Sequence, residues 1–210
     1  MAHPLPEAQH TFYIDGSSIS KPPGPRRAAY AIVSDTQVIE ANSLPLGTTS
    51  QQAELVALTR ALIWAKNKTV NIYTDSKYAF LIAHSYCMIW KERDFLTTKG
   101  TPVLNGTLIS RLIQAIQLPL RVAIMHCKGH QTSNSPVAKG NAFTDETARP
   151  IARAHPTSAN MLSFKNIQTT IFLHRTRPFS IFPGNPAQGW MGIQGQPPHP
   201  PRFSEIPDNL

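Results

Sequence analysis

The sequence predicts an α/β protein, a layered sheet in which an antiparallel meander is joined to parallel strands by two crossover connections. Three observations carry that reading. First, Thr11-Phe12-Tyr13-Ile14-Asp15-Gly16-Ser17-Ser18 and Val70-Asn71-Ile72-Tyr73-Thr74-Asp75-Ser76 share one shape, an aromatic and β-branched run that meets an aspartate. Each reads as a strand of about five residues. Second, two more strand-like runs, Arg27 to Val33 and Gln37 to Ala41, follow the first and complete a three-strand meander. Third, helical apolar spacing separates the remaining runs, giving the order βββαβα, one or two helices, β, α.

In chain order, residues 1–9 hold two prolines and little periodicity, which predicts a flexible lead-in. The first strand closes on Asp15, with a glycine turn at Gly16, and Lys21-Pro22-Pro23-Gly24-Pro25 is a loop by composition. Ser34-Asp35-Thr36 joins the next two strands. Thr49 with Gln52 fits a capping box, and Leu55, Leu58 and Leu62 continue that helix to about Lys66. After the Asp75 strand, Ser76 is a good N-cap for a helix containing Tyr78, Ala79, Leu81 and Ile82. Met88 to Leu96 reads as a short helix. Leu108, Leu112, Ile113 and Ile116 mark another, stopped by Pro119, and Leu120 to Cys127 is the fifth strand. Lys128 to Gly140 is a polar loop, and a last helix is expected to start near Asn141 and break near Pro150. The folded domain is thus predicted over residues 10–153. Residues 154–210 read as a proline-rich, largely disordered tail, since nine of the 19 prolines fall in 151–210 and periodicity survives only at Ile167 to Leu173.

The totals exclude several classes. No apolar run approaches 18 residues, so no membrane span is expected, and the N-terminus lacks a signal-peptide core. Two isolated cysteines make neither a disulfide scaffold nor a zinc site, and point to a reducing, intracellular compartment. The net charge of +8 favours a polyanionic partner. Residues 1–150 carry 15 Lys/Arg against 10 Asp/Glu, and the remainder 5 against 2, so the excess is not confined to the tail.

If the Asp15 and Asp75 strands lie side by side and parallel, their backbones are about 4.8 Å apart. Both aspartates then project from one end of the sheet, where open α/β sheets bind ligands. Two anions so close call for a cation. Glu54 and Asp145, each near a helix start, complete a set of four acids. Mg²⁺ takes hard oxygen ligands, and two ions about 4 Å apart can stabilise both the attacking and leaving oxygens of a phosphoryl transfer. Taken singly, each acid is better explained as a cap or solvated turn residue; the surrounding motifs decide otherwise.

Those motifs resemble retroviral ribonuclease H, most closely its gammaretrovirus-like branch. The likeness runs from about Pro4 to Arg149. It is carried by Tyr13-Ile14-Asp15-Gly16-Ser17-Ser18, Gln52-Ala53-Glu54-Leu55-Val56-Ala57-Leu58, Tyr73-Thr74-Asp75-Ser76-Lys77-Tyr78-Ala79-Phe80, His126-Cys127-Lys128-Gly129-His130-Gln131 and Gly140-Asn141-Ala142-Phe143-Thr144-Asp145, in the family's order. The resemblance implies a ribonuclease H-like fold with a five-stranded mixed sheet. It implies two Mg²⁺ ions, replaceable by Mn²⁺, on Asp15, Glu54, Asp75 and Asp145. The implied reaction is hydrolysis of the RNA strand of an RNA–DNA hybrid, leaving 3′-hydroxyl and 5′-phosphate ends. His130 matches a mobile-loop histidine that helps move a proton or release product. Gln51 matches a reader of the hybrid's minor groove, and Tyr78 a contact to the DNA strand. Ser17, Ser18 and Asn141 are expected at phosphate or ribose, with Gly16 and Ser76 beside them in the same motifs. Lys91 and Arg93 stand where the branch carries a basic protruding helix, here diluted by Glu92 and Asp94.

The chain also departs from an intact viral polymerase. Met1 stands only 14 residues before Asp15, and the expectation is a free-standing domain, with a reverse transcriptase polymerase region as partner in the parent polyprotein. His155, His174 and His199 have no cysteines after them, so the zinc site of a following integrase is not expected. Two other readings compete: a catalytically weak or inactive remnant that binds nucleic acid, and an interaction protein whose Pro197 to Pro201 segment recruits aromatic grooves.

Overall fold

The computed structural model describes residues 3–131 and 133–154. The expected tail, including Ile167 to Leu173 and the three late histidines, lies outside the described residues apart from Ala154.

The elements run β1 (His10–Ile19), β2 (Arg27–Val33), β3 (Val38–Leu44), α1 (Ser50–Trp64), β4 (Thr69–Thr74), α2 (Lys77–Leu81), a wide π-helical turn (Ile82–Tyr86), α3 (Cys87–Glu92), α4 (Gly106–Ala115), β5 (Arg121–His126) and α5 (Pro136–Arg153). The sheet order is β3-β2-β1-β4-β5. β1, β2 and β3 pair antiparallel, while β4 joins β1 and β5 joins β4 in parallel. This is the predicted mixed sheet.

Period-two alternation sends Phe12, Ile14, Tyr30, Ile32 and Ile72 to one face, where they form a core with Leu55, Leu58 and Leu62 of α1. Burying each leucine contributes about 1.5–3 kcal/mol. The opposite face of β2 is small, with Ala29 and Ala31 fully buried, and α5 packs on that side of β1 and β2. Glu40 ties β3 to α1, accepting two bonds from Arg60 at 2.6 and 2.7 Å and others from Tyr30 and Trp64. Burial pushes the Glu40 carboxyl up, but these donors together hold it below its ordinary value.

Local signals place several boundaries. The Thr49 hydroxyl accepts from Gln52 N at 3.3 Å, and the Gln52 side chain accepts from Thr49 N at 2.9 Å, completing the expected capping box. Ser76 caps α2 through the Ala79 N–H.

Five expectations are corrected. β1 does not end at Asp15: Ser17, Ser18 and Ile19 keep pairing with Ala29, Ala28 and Arg27, so Gly16 is a strand residue and not a turn. β3 runs on from Ala41 to Leu44, opposite Ala28. The expected helix from Met88 to Leu96 starts at Cys87 as a continuation of the π-turn and stops at Glu92; Asp94 and Phe95 have φ of 48° and 58°. α5 begins at Pro136, capped by Ser135, so Asn141 lies inside it; and it passes through Pro150 to Arg153. Its end is held by Arg27, whose Nη1 donates to the Arg153 carbonyl at 2.9 Å. Finally, the lead-in is anchored from Leu5 onward. Leu5 N donates to Asn71 Oδ1 at 2.8 Å, Asn71 Nδ2 donates back to Leu5 O at 3.1 Å, and Gln9 N bonds Thr69 O.

Candidate active site

The register of β1 against β4 pairs Tyr13 with Tyr73 and Ile14 with Thr74, so Asp15 and Asp75 sit one step beyond, side by side. Glu54 arrives from α1 because Gly16 has no side chain: a Cβ there would stand 2.4 Å from Glu54 N. Ligand oxygens of Asp15, Glu54 and Asp75 lie within 4.8 Å of one another.

The electrostatics are those of crowded anions. Burial first, then the charges of Asp75 and Asp145, push the Asp15 carboxyl up to about 6, against a bond from the Gly16 N–H. Glu54 is raised well above its ordinary value by burial and then by Asp15 and Asp75. Its Oε2 is buried without a hydrogen-bond partner. Three converging carboxylates, one with an orphaned oxygen, are a donor set that fits a hard divalent cation.

Asp145 stands close enough to raise Asp15, but it lies outside the three-oxygen cluster and is ion-paired with Arg149 Nη2 at 2.6 Å. It lines two clefts. One is lined by His130, Gln131, Asn141 and Glu146. The other, about 650 Å³, runs past Ser17, Ser18, Lys21, Ser50 and Arg153. His130 is exposed, with φ of 50° in the loop before α5.

The other predicted contacts are spread unevenly. Gln51 is half-buried in the first turn of α1. The Ser18 hydroxyl donates to Thr48 O at 3.2 Å, and the Ser76 hydroxyl is used as a cap. Tyr78 packs on the core, and its OH accepts from Asn105 Nδ2 at 3.2 Å; Asn105 in turn accepts from Gln52. Lys91 is exposed on α3 and Arg93 lies just past its end. Asn141 is only 5% exposed and turns inward, with Nδ2 donating to Asp75 Oδ2 at 3.2 Å.

Sequence reasoning passed over Cys127, His126 and Arg149. The Cys127 thiol donates to Asn141 Oδ1 at 3.7 Å, and burial, with Asp75 nearby, pushes it up to about 12. A His126 Nε2 lies 3.2 Å from the Asp75 carbonyl. Only Arg149 had a readable signal, its i,i+4 spacing from Asp145.

A sequence model of the family described as RNase H matches residues 7–153, well over half of the chain. The Pol polyprotein of Radiation murine leukemia virus (strain Kaplan) is 41% identical over 217 residues, covering 99% of this chain and 37% of the relative. The chain belongs to the retroviral RNase H family. The Gag-Pol polyprotein of Avian reticuloendotheliosis virus is 50% identical to it over 149 residues, covering 71% of the chain and 13% of the relative. The Pol polyprotein of Feline endogenous virus ECE1 is 44% identical over 171 residues, 81% of the chain and 16% of the relative. The chain therefore spans well under half the length of these gammaretroviral relatives. The murine match, at 99% of the chain, also reaches past Arg153. Among solved structures, the PFV RNase H domain in solution is 29% identical with a TM-score of 0.59, covering 70% of this chain and 95% of that one. The Prototype Foamy Virus protease–reverse transcriptase is 28% identical with a TM-score of 0.62, covering 74% and 22%. The fold is that of retroviral RNase H. Among the described residues, no helix is long and apolar enough to cross a membrane.

Proposed function

We propose that the chain is an endonuclease that hydrolyses the RNA strand of RNA–DNA hybrids, with two Mg²⁺ (or Mn²⁺) ions held by Asp15, Glu54, Asp75 and Asp145. The carrying observation is the convergence of three carboxylates around the unpartnered Glu54 Oε2. When bound, such ions supply the positive charge that phosphoryl transfer needs on its attacking and leaving oxygens.

The protein's own groups do the rest. Asp15 and Glu54, whose carboxyls are raised first by burial and then by neighbouring acids, would be the residues whose charge such cations offset. Asp145 would hold an ion in place of Arg149, whose guanidinium, in the same cleft as Lys21 and Arg153, would then be available to the RNA phosphates. Ser17 and Ser18 are at hand for the ribose, whose 2′-hydroxyl distinguishes RNA. His130, on its loop against Asp145, moves a proton or speeds product departure. Gln51 reads the minor groove, while Gly16, Ser76, Tyr78, Lys91 and Arg93 serve the backbones. Because the relatives are polyproteins, a reverse transcriptase polymerase region is the proposed partner that holds the hybrid.

The Arg149–Asp145 pair is the one observation that favours the competing reading, a hybrid-binding remnant without turnover. Cleavage of a labelled hybrid in Mg²⁺, wild type against Asp75→Asn, separates the two. Loss of at least about 100-fold in the variant is expected; equal rates would sink the enzyme.

A further inference from the structure

The acidic cluster does not aim itself. Asp75 Oδ2 is bonded by Asn141 Nδ2 at 3.2 Å, and Asn141 Oδ1 is met by Cys127 Sγ at 3.7 Å. Asn141 sits on α5, 5% exposed, and Cys127 lies just past β5, 8% exposed. The Cys127 backbone N–H donates to the Thr74 carbonyl at 2.9 Å, so the thiol is fixed by the residue that precedes Asp75. The three side chains form a short chain from the ends of β4 and β5 to α5, buried at Cys127 and Asn141 and half-buried at Asp75.

Its direction follows from what each end can do. A carboxylate only accepts, a neutral thiol donates, and an amide has one end of each kind. Of the two amide orientations, one gives Asp75 a donor and the thiol an acceptor. The flipped form sets the amide oxygen against a carboxylate, repelling it, and leaves the buried Asn141 amide with unmet polar ends, which is expensive.

We propose that Asn141 and Cys127 are a positioning pair for Asp75: the amide fixes the carboxylate's orientation, and the S–H fixes which way the amide points. The inference rests on reading the acidic cluster as a metal site. It assigns Asn141 to the protein's interior and gives Cys127 a role that its isolation in the sequence conceals.

The test uses the full chain and Mn²⁺ alone, titrated by calorimetry, with hybrid cleavage and melting temperature measured alongside. Partners that orient a metal ligand are typically worth 10–100-fold in affinity, so Asn141→Ala is expected to weaken Mn²⁺ binding by about tenfold or more. KM for the hybrid should stay put while kcat falls at limiting metal. Cys127→Ala is expected to lose affinity severalfold, and Cys127→Ser, which restores a donor, to recover most of it. A side chain that only filled space would lower the melting temperature in all three variants without moving Mn²⁺ affinity. That result, or Cys127→Ser binding as poorly as Cys127→Ala, overturns the positioning pair. If Asn141→Ala does not fold, the two cysteine variants decide. Failure of the wild type to bind Mn²⁺ is a different outcome, which removes the metal site itself.

Discussion

Gly16 and Glu54 are in backbone contact: a Cβ at position 16 would stand 2.4 Å from Glu54 N and 2.5 Å from the Ala53 carbonyl carbon. No flexible side chain is there to yield, so Gly16→Ala must push α1 away from β1. Overpacking of this kind costs about 1–3 kcal/mol, or very roughly 2–12 °C in melting temperature. The larger effect falls on the cluster, because Glu54 moves with the helix. Gly16→Ala is expected to weaken Mn²⁺ binding by about tenfold or more, measured by calorimetry. An unchanged affinity would show that the close approach positions nothing.

The acidic cluster also fixes a pH dependence. Asp15 rises from 3.8 to about 6, for which burial is the first cause. A carboxyl raised on folding contributes stability that is fully present below its unfolded value and lost as pH climbs through the folded one. The loss therefore falls between about pH 4 and 6 and amounts to roughly 3 kcal/mol. Without divalent metal, Asp15→Asn should melt no higher than wild type at pH 4 and progressively higher by pH 7. Mg²⁺ should narrow the gap by stabilising the wild type alone. A gap that does not grow with pH would refute this.

Pro150 stands exposed inside α5, one turn before the end of the helix. It removes the N–H that would bond the Glu146 carbonyl, a fault that costs about 3 kcal/mol in a helix interior. Only one turn follows, and Arg27 holds its last carbonyl, so the recoverable part is smaller. Pro150→Ala is expected to stabilise the protein by about 1–2 kcal/mol, with the Mn²⁺ affinity unchanged. A lower melting temperature would show that the proline suits this end.

Lys91 and Arg93 stand exposed at the end of α3. If they meet hybrid phosphates, replacing both with alanine should weaken binding across all sequences. It should also flatten the plot of log affinity against log salt by about 1–2 units, since each contact releases counterions. An unaltered slope in a fluorescence titration would place the hybrid elsewhere.

How much of this could be read from the chain depends on the range over which each signal acts. Thr49 and Gln52 announce α1 because a cap is a local matter of three residues. Asp15 and Asp75 announce a site because two short strands of one shape place them alike. The start of α5 at Ser135-Pro136 is hidden, although serine before proline is a sound helix opening, because Lys128 to Gly140 has the composition of a loop. Gly140 explains that composition: a Cβ there would stand 2.4 Å from the Tyr13 ring, so a residue that weakens helices is required by a strand 127 positions away. Asn141 reads as a surface contact until α5 folds onto the sheet and turns it toward Asp75. Cys127 has no local signal at all. Its meaning depends on which helix covers β5.

The bonds between Leu5 and Asn71 carry a practical consequence. Asn71 is 7% exposed, and both ends of its amide are satisfied by one residue of the segment ahead of β1. Trimming the protein back to His10, where the sheet begins, would strip that amide of both partners. A minimal version suited to crystallisation or spectroscopy should therefore keep the chain from at least Pro4.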